Sequence, residues 1–470
     1  MDQTGINGKE PQEIFHVVEH LFRHEAGKMV ATLTGIFGIE RLTLAEDVVQ
    51  EALARALQTW PFYGVPENPA AWLMQTARNR ALDVVRRENN FLAKEPEIIR
   101  LMEADNAGPE APIFSEHEIA DDRLRMMFVC CHPLISQEDQ AALALKTLCG
   151  FSPAEIARAF LTTEAAIAKR LTRAKQKIRE AKIPFEIPAG PELARRLDGV
   201  LQSLYLLFNE GYKASAGDKL VREDICAEAI RLAGLLAEHP AGNRPKTHAL
   251  MALMLLNAAR PPARVDDEGN LLRLRDQDRT RWHQAMIGRG MFHLARSAAG
   301  GELSEYHLQA GISACHCAAR DYASTDWRQI LSLYDRLLAF DGSPVVALNR
   351  AVALAEVNGP RAGIEAVEAI PDLKSLESYY LLHAVLGDFE WQLNRLPIAA
   401  LHFQKALELS GMKSEQAFLA KRLQACEQIP SATGVPPVPC EAEIHEPPEP
   451  LFAEVGQKIV LNGSGRSSSY

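Results

Sequence analysis

Residues 151–181 read FSPAEIARAFLTTEAAIAKRLTRAKQKIREA. Ser152 suits a helix cap, Pro153 the first helical position and Glu155 the acid of a capping box, so a helix starts here. Ile156, Ala157 and Phe160 form its apolar face. After Leu161 and Thr162 a second helix starts at Thr163. Ile167, Leu171, Ala174 and Ile178 recur along it at helical spacing, while Lys169, Arg170, Arg173, Lys175 and Lys177 take the outer face. Two short helices joined by a tight turn, with a small residue at Ala157 and an aliphatic one at Ile167, meet the packing demands of a helix-turn-helix, whose second helix enters a major groove. The plain alternative is a solvated amphipathic helix. Leu161 departs from the motif, because glycine usually holds that turn position and leucine is strained in a left-handed conformation.

The charge around this stretch argues for the first reading. The 470 residues carry a net charge of -10, which by itself speaks against a nucleic-acid binder. From Glu88 to Asp122, however, ten acids face only Lys94 and Arg100, a net of -8, whereas Gly150 to Lys182 carries eight bases against three acids, a net of +5. An acidic spacer thus masks a basic module. At roughly 150 residues per domain the length gives about three domains. A composition of 47% hydrophobic, 24% charged and 7% aromatic residues fits a soluble protein with an aliphatic core. The N-terminus has no basic start followed by an apolar run, and LMALMLL at Leu250–Leu256 is too short to span a bilayer, so a cytoplasmic protein is expected. The 8 cysteines form no CxxC pair, which favours reduced, core-filling thiols.

Helical periodicity runs through 12–87, with Pro61, Gly64, Pro66 and Pro69 splitting that block in two. The stretch 88–120 reads as an acidic linker and 121–182 as a compact helical unit. Residues 192–320 form a helical extension and 321–427 carry repeats. There Gly387, Ala399, Phe403 and Ala406 have the small and aromatic spacing of a tetratricopeptide repeat, echoed more weakly at Ala351, Gly363, Val367 and Ile370. The Pro-rich tail 430–470 reads as disordered. The expected fold class is all-α.

Upstream of the helix-turn-helix, AEDVVQEALARALQTW (45–60) and NPAAWLMQTARNRALDVVRRE (68–88) resemble region 2 of bacterial RNA polymerase sigma factors of the extracytoplasmic-function group. The helix-turn-helix is similar to their region 4, and the two stand in the right order across a linker. DDRLRMMFVCCHPLI (121–135), LYLLFNEGY (204–212) and STDW (324–327) resemble the branch of these factors that carries a long C-terminal helical, tetratricopeptide-like extension.

The resemblance implies a factor that binds core RNA polymerase and promoter DNA without catalysis or cofactor. It places polymerase binding on Asp47, Gln50 and Glu51. For the minus-ten element it implies Trp60, Phe62, Tyr63, Asn68 and Trp72 beside the loop that captures a flipped base, with Arg78, Asn79, Arg80, Arg86 and Arg87 near phosphates. For Trp72 core packing is the favoured reading, because aromatics on a helical face are usually buried. For the minus-thirty-five element it implies Thr163, Glu164, Ala166, Lys169, Arg170, Arg173 and Lys177. The extension is expected to act as a control module on the sigma domains. Cys130, Cys131 and His132, like Cys315, His316 and Cys317, are too tightly spaced for a zinc site, so no metal is expected. Asn209, Glu210, Gly211 and Tyr212 read as a structural hydrogen-bonding corner. Two rivals remain: a helix-turn-helix adaptor that recruits proteins through its repeats, and a hydrolase using Asp266, Asp267 and His283. No HExxH, Walker A, GxSxG or Rossmann fingerprint supports the second.

Overall fold

In the computed structural model, residues 11–87, 116–159, 162–212, 223–264, 266, 272–340 and 342–428 are described. Eighteen α-helices and no strand occur among them. Residues 88–115 of the acidic linker, the turn residues Phe160 and Leu161, Asp267 and the Pro-rich tail lie outside the described residues, while the end of the linker, expected to run to 120, is helical from Glu116. The helices divide into two compact units, one of residues 1–207 and 231–242, the other of 208–230 and 243–470.

The first unit begins with α1 (Pro11–Phe37), α2 (Leu42–Tyr63) and α3 (Pro69–Arg87). Apolar residues at helical spacing bury one face of each: Val48, Val49, Ala52, Leu53 and Ala56 on α2, and Leu73, Ala77, Ala81 and Val85 on α3. Pro61 does not end α2, which continues to Tyr63. A proline in the last turn forfeits a single backbone bond. The helix stops at Gly64, whose φ of 81° lies in the region that glycine enters without steric cost.

Next come α4 (Glu116–Cys130), α5 (Gln137–Cys149), α6 (Pro153–Ala159) and α7 (Glu164–Glu180). Helix α1 packs against α2 and α3 and also against α4 and α5. The unit is completed by parts of α8 (Pro191–Tyr212) and α9 (Glu223–Glu238). The extension expected to start a separate module at 192 therefore contributes to this one. Val200, Leu204 and Leu207 of α8 face Met127, Cys131, Leu145 and Leu148. Arg196, 2% exposed, donates to the Phe128 carbonyl, and a side chain at Gly199 would collide with Gln140.

The second unit continues with α10 (Pro245–Ala258), α11 (Gln284–Ser297), α12 (Glu305–Ala318), α13 (Trp327–Phe340), α14 (Pro344–Asn358), α15 (Pro360–Glu368), α16 (Tyr380–Gln392), α17 (Leu396–Leu409) and α18 (Lys413–Gln428). Each packs on its successor, as expected of a helical array in which one pair cannot bury its face alone. Of the positions read from the sequence, Gly387 abuts the Phe403 ring and Ala351, Val367, Ala399 and Ala406 are fully buried, whereas Gly363 meets the Phe389 ring, which the sequence reading did not include. The corner near Tyr212 is structural. Arg264 donates to the Tyr212 carbonyl at 3.1 Å and lies 4.8 Å over its ring. Helical periodicity did not single out the arginine-rich segment that follows. Arg260 and Arg279 stack on Trp282, and Arg279 donates to the His316 and Ala319 carbonyls and to Thr325.

Candidate nucleic-acid interface

The helix-turn-helix forms as its residues dictate. The Glu155 N–H donates to Ser152 Oγ at 3.2 Å while Glu155 Oε2 accepts from the Ser152 N–H at 2.9 Å, a closed capping box. Thr163 caps α7, its hydroxyl accepting from the Ala166 N–H. Ile156, Ala157, Ile167, Leu171, Ala174 and Ile178 are buried. On the outer face Thr163, Glu164, Lys169 and Arg173 are exposed, and Ala166, Arg170 and Lys177 are half-buried. Arg173 is nevertheless committed: its Nε and Nη2 donate at 3.0 and 2.9 Å to both oxygens of Asp139, which is 1% exposed. Such a bidentate fork fixes the guanidinium plane. Lys177 donates to the Leu134 carbonyl at 3.1 Å.

On the other element, Phe62 and Tyr63 end α2 with 80% and 88% of their surface exposed, which is costly for aromatics unless they meet a partner. They adjoin a short loop to exposed Asn68, whose side chain caps α3 by accepting from the Ala71 N–H. Asn79, Arg86 and Arg87 are exposed and Arg80 is half-buried. Two expected residues point elsewhere. Trp60 is 2% exposed and packs edge-to-face on half-buried Trp72, 5.4 Å between centroids, and Arg78 is 3% exposed. Helical phase turns both into the core, so neither presents its side chain to DNA in this conformation. Asp47, Gln50 and Glu51 line one exposed stripe of α2.

Sequence comparison agrees in order and position: residues 21–91 match Sigma-70 region 2, residues 125–178 match Sigma-70 region 4, and residues 196–298 match a family of unknown function, DUF6596. The chain belongs to the extracytoplasmic-function type of sigma factor with a C-terminal extension. It is 40% identical over 383 residues to an uncharacterized protein of Rhizobium meliloti (strain 1021), covering 81% of this chain and 90% of that relative. No solved structure matches it.

In this sigma factor, region 2 carries a polar groove of about 490 Å³ between α2 and α3. Glu51, assigned from the resemblance to polymerase, and Trp72, Asn79 and Arg80, assigned to DNA, line the same groove, together with Arg55 and Gln75. Arg80 Nε donates to Glu51 at 2.5 Å, and Gln75 donates to Asn79 at 2.9 Å. Sequence reasoning missed Arg55, Gln75, Asp139 and Glu46. The first two lie one turn from assigned residues and were within reach of helical spacing. Asp139 and Glu46 matter through long-range partners that no spacing reveals.

The cysteine and histidine clusters of the sigma factor are packed groups. Burial pushes the Cys131 thiol up to about 12 and the Cys317 thiol up to about 11, raises Cys130 and Cys315, and lowers His316 and His132. Among the described residues no three His, Cys, Asp or Glu side chains are grouped to hold a metal ion. No helix among them is long and apolar enough to cross a membrane.

Proposed function

We propose that the chain binds core RNA polymerase through Asp47, Gln50 and Glu51 and directs it to promoters read at two elements. The exposed acids pair with basic partner residues and steer encounter. Phe62 and Tyr63, with the loop to Asn68, stack bases that leave the duplex at the minus-ten element, and Asn79, Arg80, Arg86 and Arg87 hold adjacent phosphates. Helix α7 reads the minus-thirty-five element through Thr163, Glu164, Ala166, Lys169 and Arg170, with Arg173 and Lys177 at phosphates. The chain performs no catalysis of its own and acts in the cytoplasm. The extension regulates the sigma domains, a reading supported by the packing of α8 on α4 and α5.

The observation that carries this reading is the occurrence of region 2 and region 4 in order on one chain. Transcription by core polymerase plus this chain on a randomised promoter library tests it. Defined start sites that disappear with D47A/E51A are expected. A chain that neither co-purifies with core polymerase nor starts transcripts overturns the reading and leaves the adaptor.

A further inference from the structure

Helix α11 turns a basic, aromatic face outward, and the tail of the same chain has the opposite charge. From Arg279 to Gly301 there are four arginines and no acid. Gly290 and Ser297 bury one side of α11, Gly290 against Leu256 of α10. On the opposite side Ala285, Gly288, Arg289, Phe292, Ala295 and Arg296 recur at helical spacing, and every one of them is exposed. Phe292 keeps 58% of its surface in solvent with the Arg296 guanidinium 5.9 Å from its ring, and a Cβ on Gly288 would meet nothing within 4 Å. Arg296 donates to Asn243 Oδ1 at 3.2 Å, but among the described residues neither it nor Arg289 has a carboxylate partner. Phenylalanine and arginine together are the composition enriched in protein contact surfaces.

The complementary segment is CEAEIHEPPEPLFAEV, residues 440–455. It holds five acids, no lysine or arginine, and the apolar residues Ile444, Leu451, Phe452 and Val455. The acidic stretch 88–115 is the weaker match, since Lys94 and Arg100 offset its acids and it belongs to the other unit. Leu451 follows Gln428, the end of α18, by about 23 residues, which extend to about 75 Å. The described part of the second unit, roughly 210 residues, is about 45 Å across when compact and about 70 Å half-way round. The tail therefore reaches α11 wherever on that unit the helix lies.

We propose that the outer face of α11 is an interaction surface occupied by residues 441–455 of the same chain: Leu451 and Phe452 cover Phe292, and the glutamates pair with Arg289 and Arg296. Tethering makes the encounter intramolecular, so exposed ion pairs too weak to hold a free peptide suffice. The inference does not rest on the sigma-factor reading, because both partners lie in the extension and its tail.

The test places a photo-cross-linking amino acid at exposed Ala285 or Ala295 in the full chain, and mass spectrometry of the irradiated monomer locates the product. Cross-links to residues 441–455 are expected. E446Q/E449Q/E454Q in the tail, and separately R289E/R296E on α11, should each lower their yield about tenfold, the effect of two or three exposed ion pairs. Circular dichroism checks that helicity is unchanged. Combining R289E/R296E with E446R/E449R should restore the yield. The tail changes leave the helices untouched, so they decide the matter even where R289E/R296E fails to fold. Cross-links that miss 441–455, that join two copies of the chain, or that reach 88–115 instead overturn the proposal, and so does a yield indifferent to these charges.

Discussion

Arg173, proposed to meet a phosphate, is first of all a partner of Asp139. Its guanidinium is half exposed, yet it neutralises a buried aspartate through two hydrogen bonds. Arg173→Ala leaves Asp139 buried and unpaired, and losing one partner of a buried pair costs about 3–5 kcal/mol. A smaller loss is expected here because the arginine side of the pair is solvated. Thermal melts of R173A measure it. If the same guanidinium also meets a phosphate, the slope of log affinity against log salt becomes shallower by about 0.9. An unchanged slope would confine Arg173 to packing. Histidine offers a second test. His248 and His293 share a 2.9 Å Nδ1–Nδ1 contact, and burial lowers both, His293 to about 4. The folded state then binds fewer protons than the unfolded one, so their stabilising contribution is full above pH about 6.5 and falls as the pH drops toward 4. His293→Asn removes the larger share of that dependence, leaving the part due to His248. Its melting temperature relative to wild type should therefore rise as pH is lowered from 7 to 5.

At the level of elements, helix α8 belongs to the fold that the helix-turn-helix needs. Ending the chain at residue 182 would expose Met127, Cys131, Leu145 and Leu148 and remove the apolar partners Val200, Leu204 and Leu207. At about 1.5–3 kcal/mol for each large side chain, that loss is on the order of 5–10 kcal/mol, comparable with the whole stability of a domain. Residues 1–182 should give a broad, non-cooperative melt, and residues 1–242 a cooperative one. The helical array of the second unit makes a similar demand on one glycine. A Cβ at Gly387 would stand 2.9 Å from the Phe403 ring, so Gly387→Ala should destabilise the array by about 1–3 kcal/mol, measured by urea unfolding.

For the whole molecule, division into two compact units predicts two unfolding events. Gly387→Ala should move only the transition absent from residues 1–242, as read by differential scanning calorimetry. One transition that shifts as a whole would mean the units unfold together. The array also bears on the expectation that its repeats offer a free binding surface. Part of the second unit is filled by the chain itself, since the segment Leu272–Trp282 lays Arg279 across α12 and Arg275 over Tyr322. A partner-binding role must use what that segment leaves open.

Helix positions, the buried stripe of α7, the cap at Ser152 and the pairing of Gly387 with Phe403 were legible in the sequence, because each depends on residues a few positions apart along one helix or one helix pair. The exposed stripe at Asp47, Gln50 and Glu51 was legible for the same reason. Only the tertiary structure turned Trp60 and Arg78 inward, tied Arg173 to Asp139 and Lys175 to Glu46, and placed α8 against α4 and α5. Those outcomes hinge on which helix packs where, and long-range packing is a sum of many weak contacts that leaves no periodic mark on the chain.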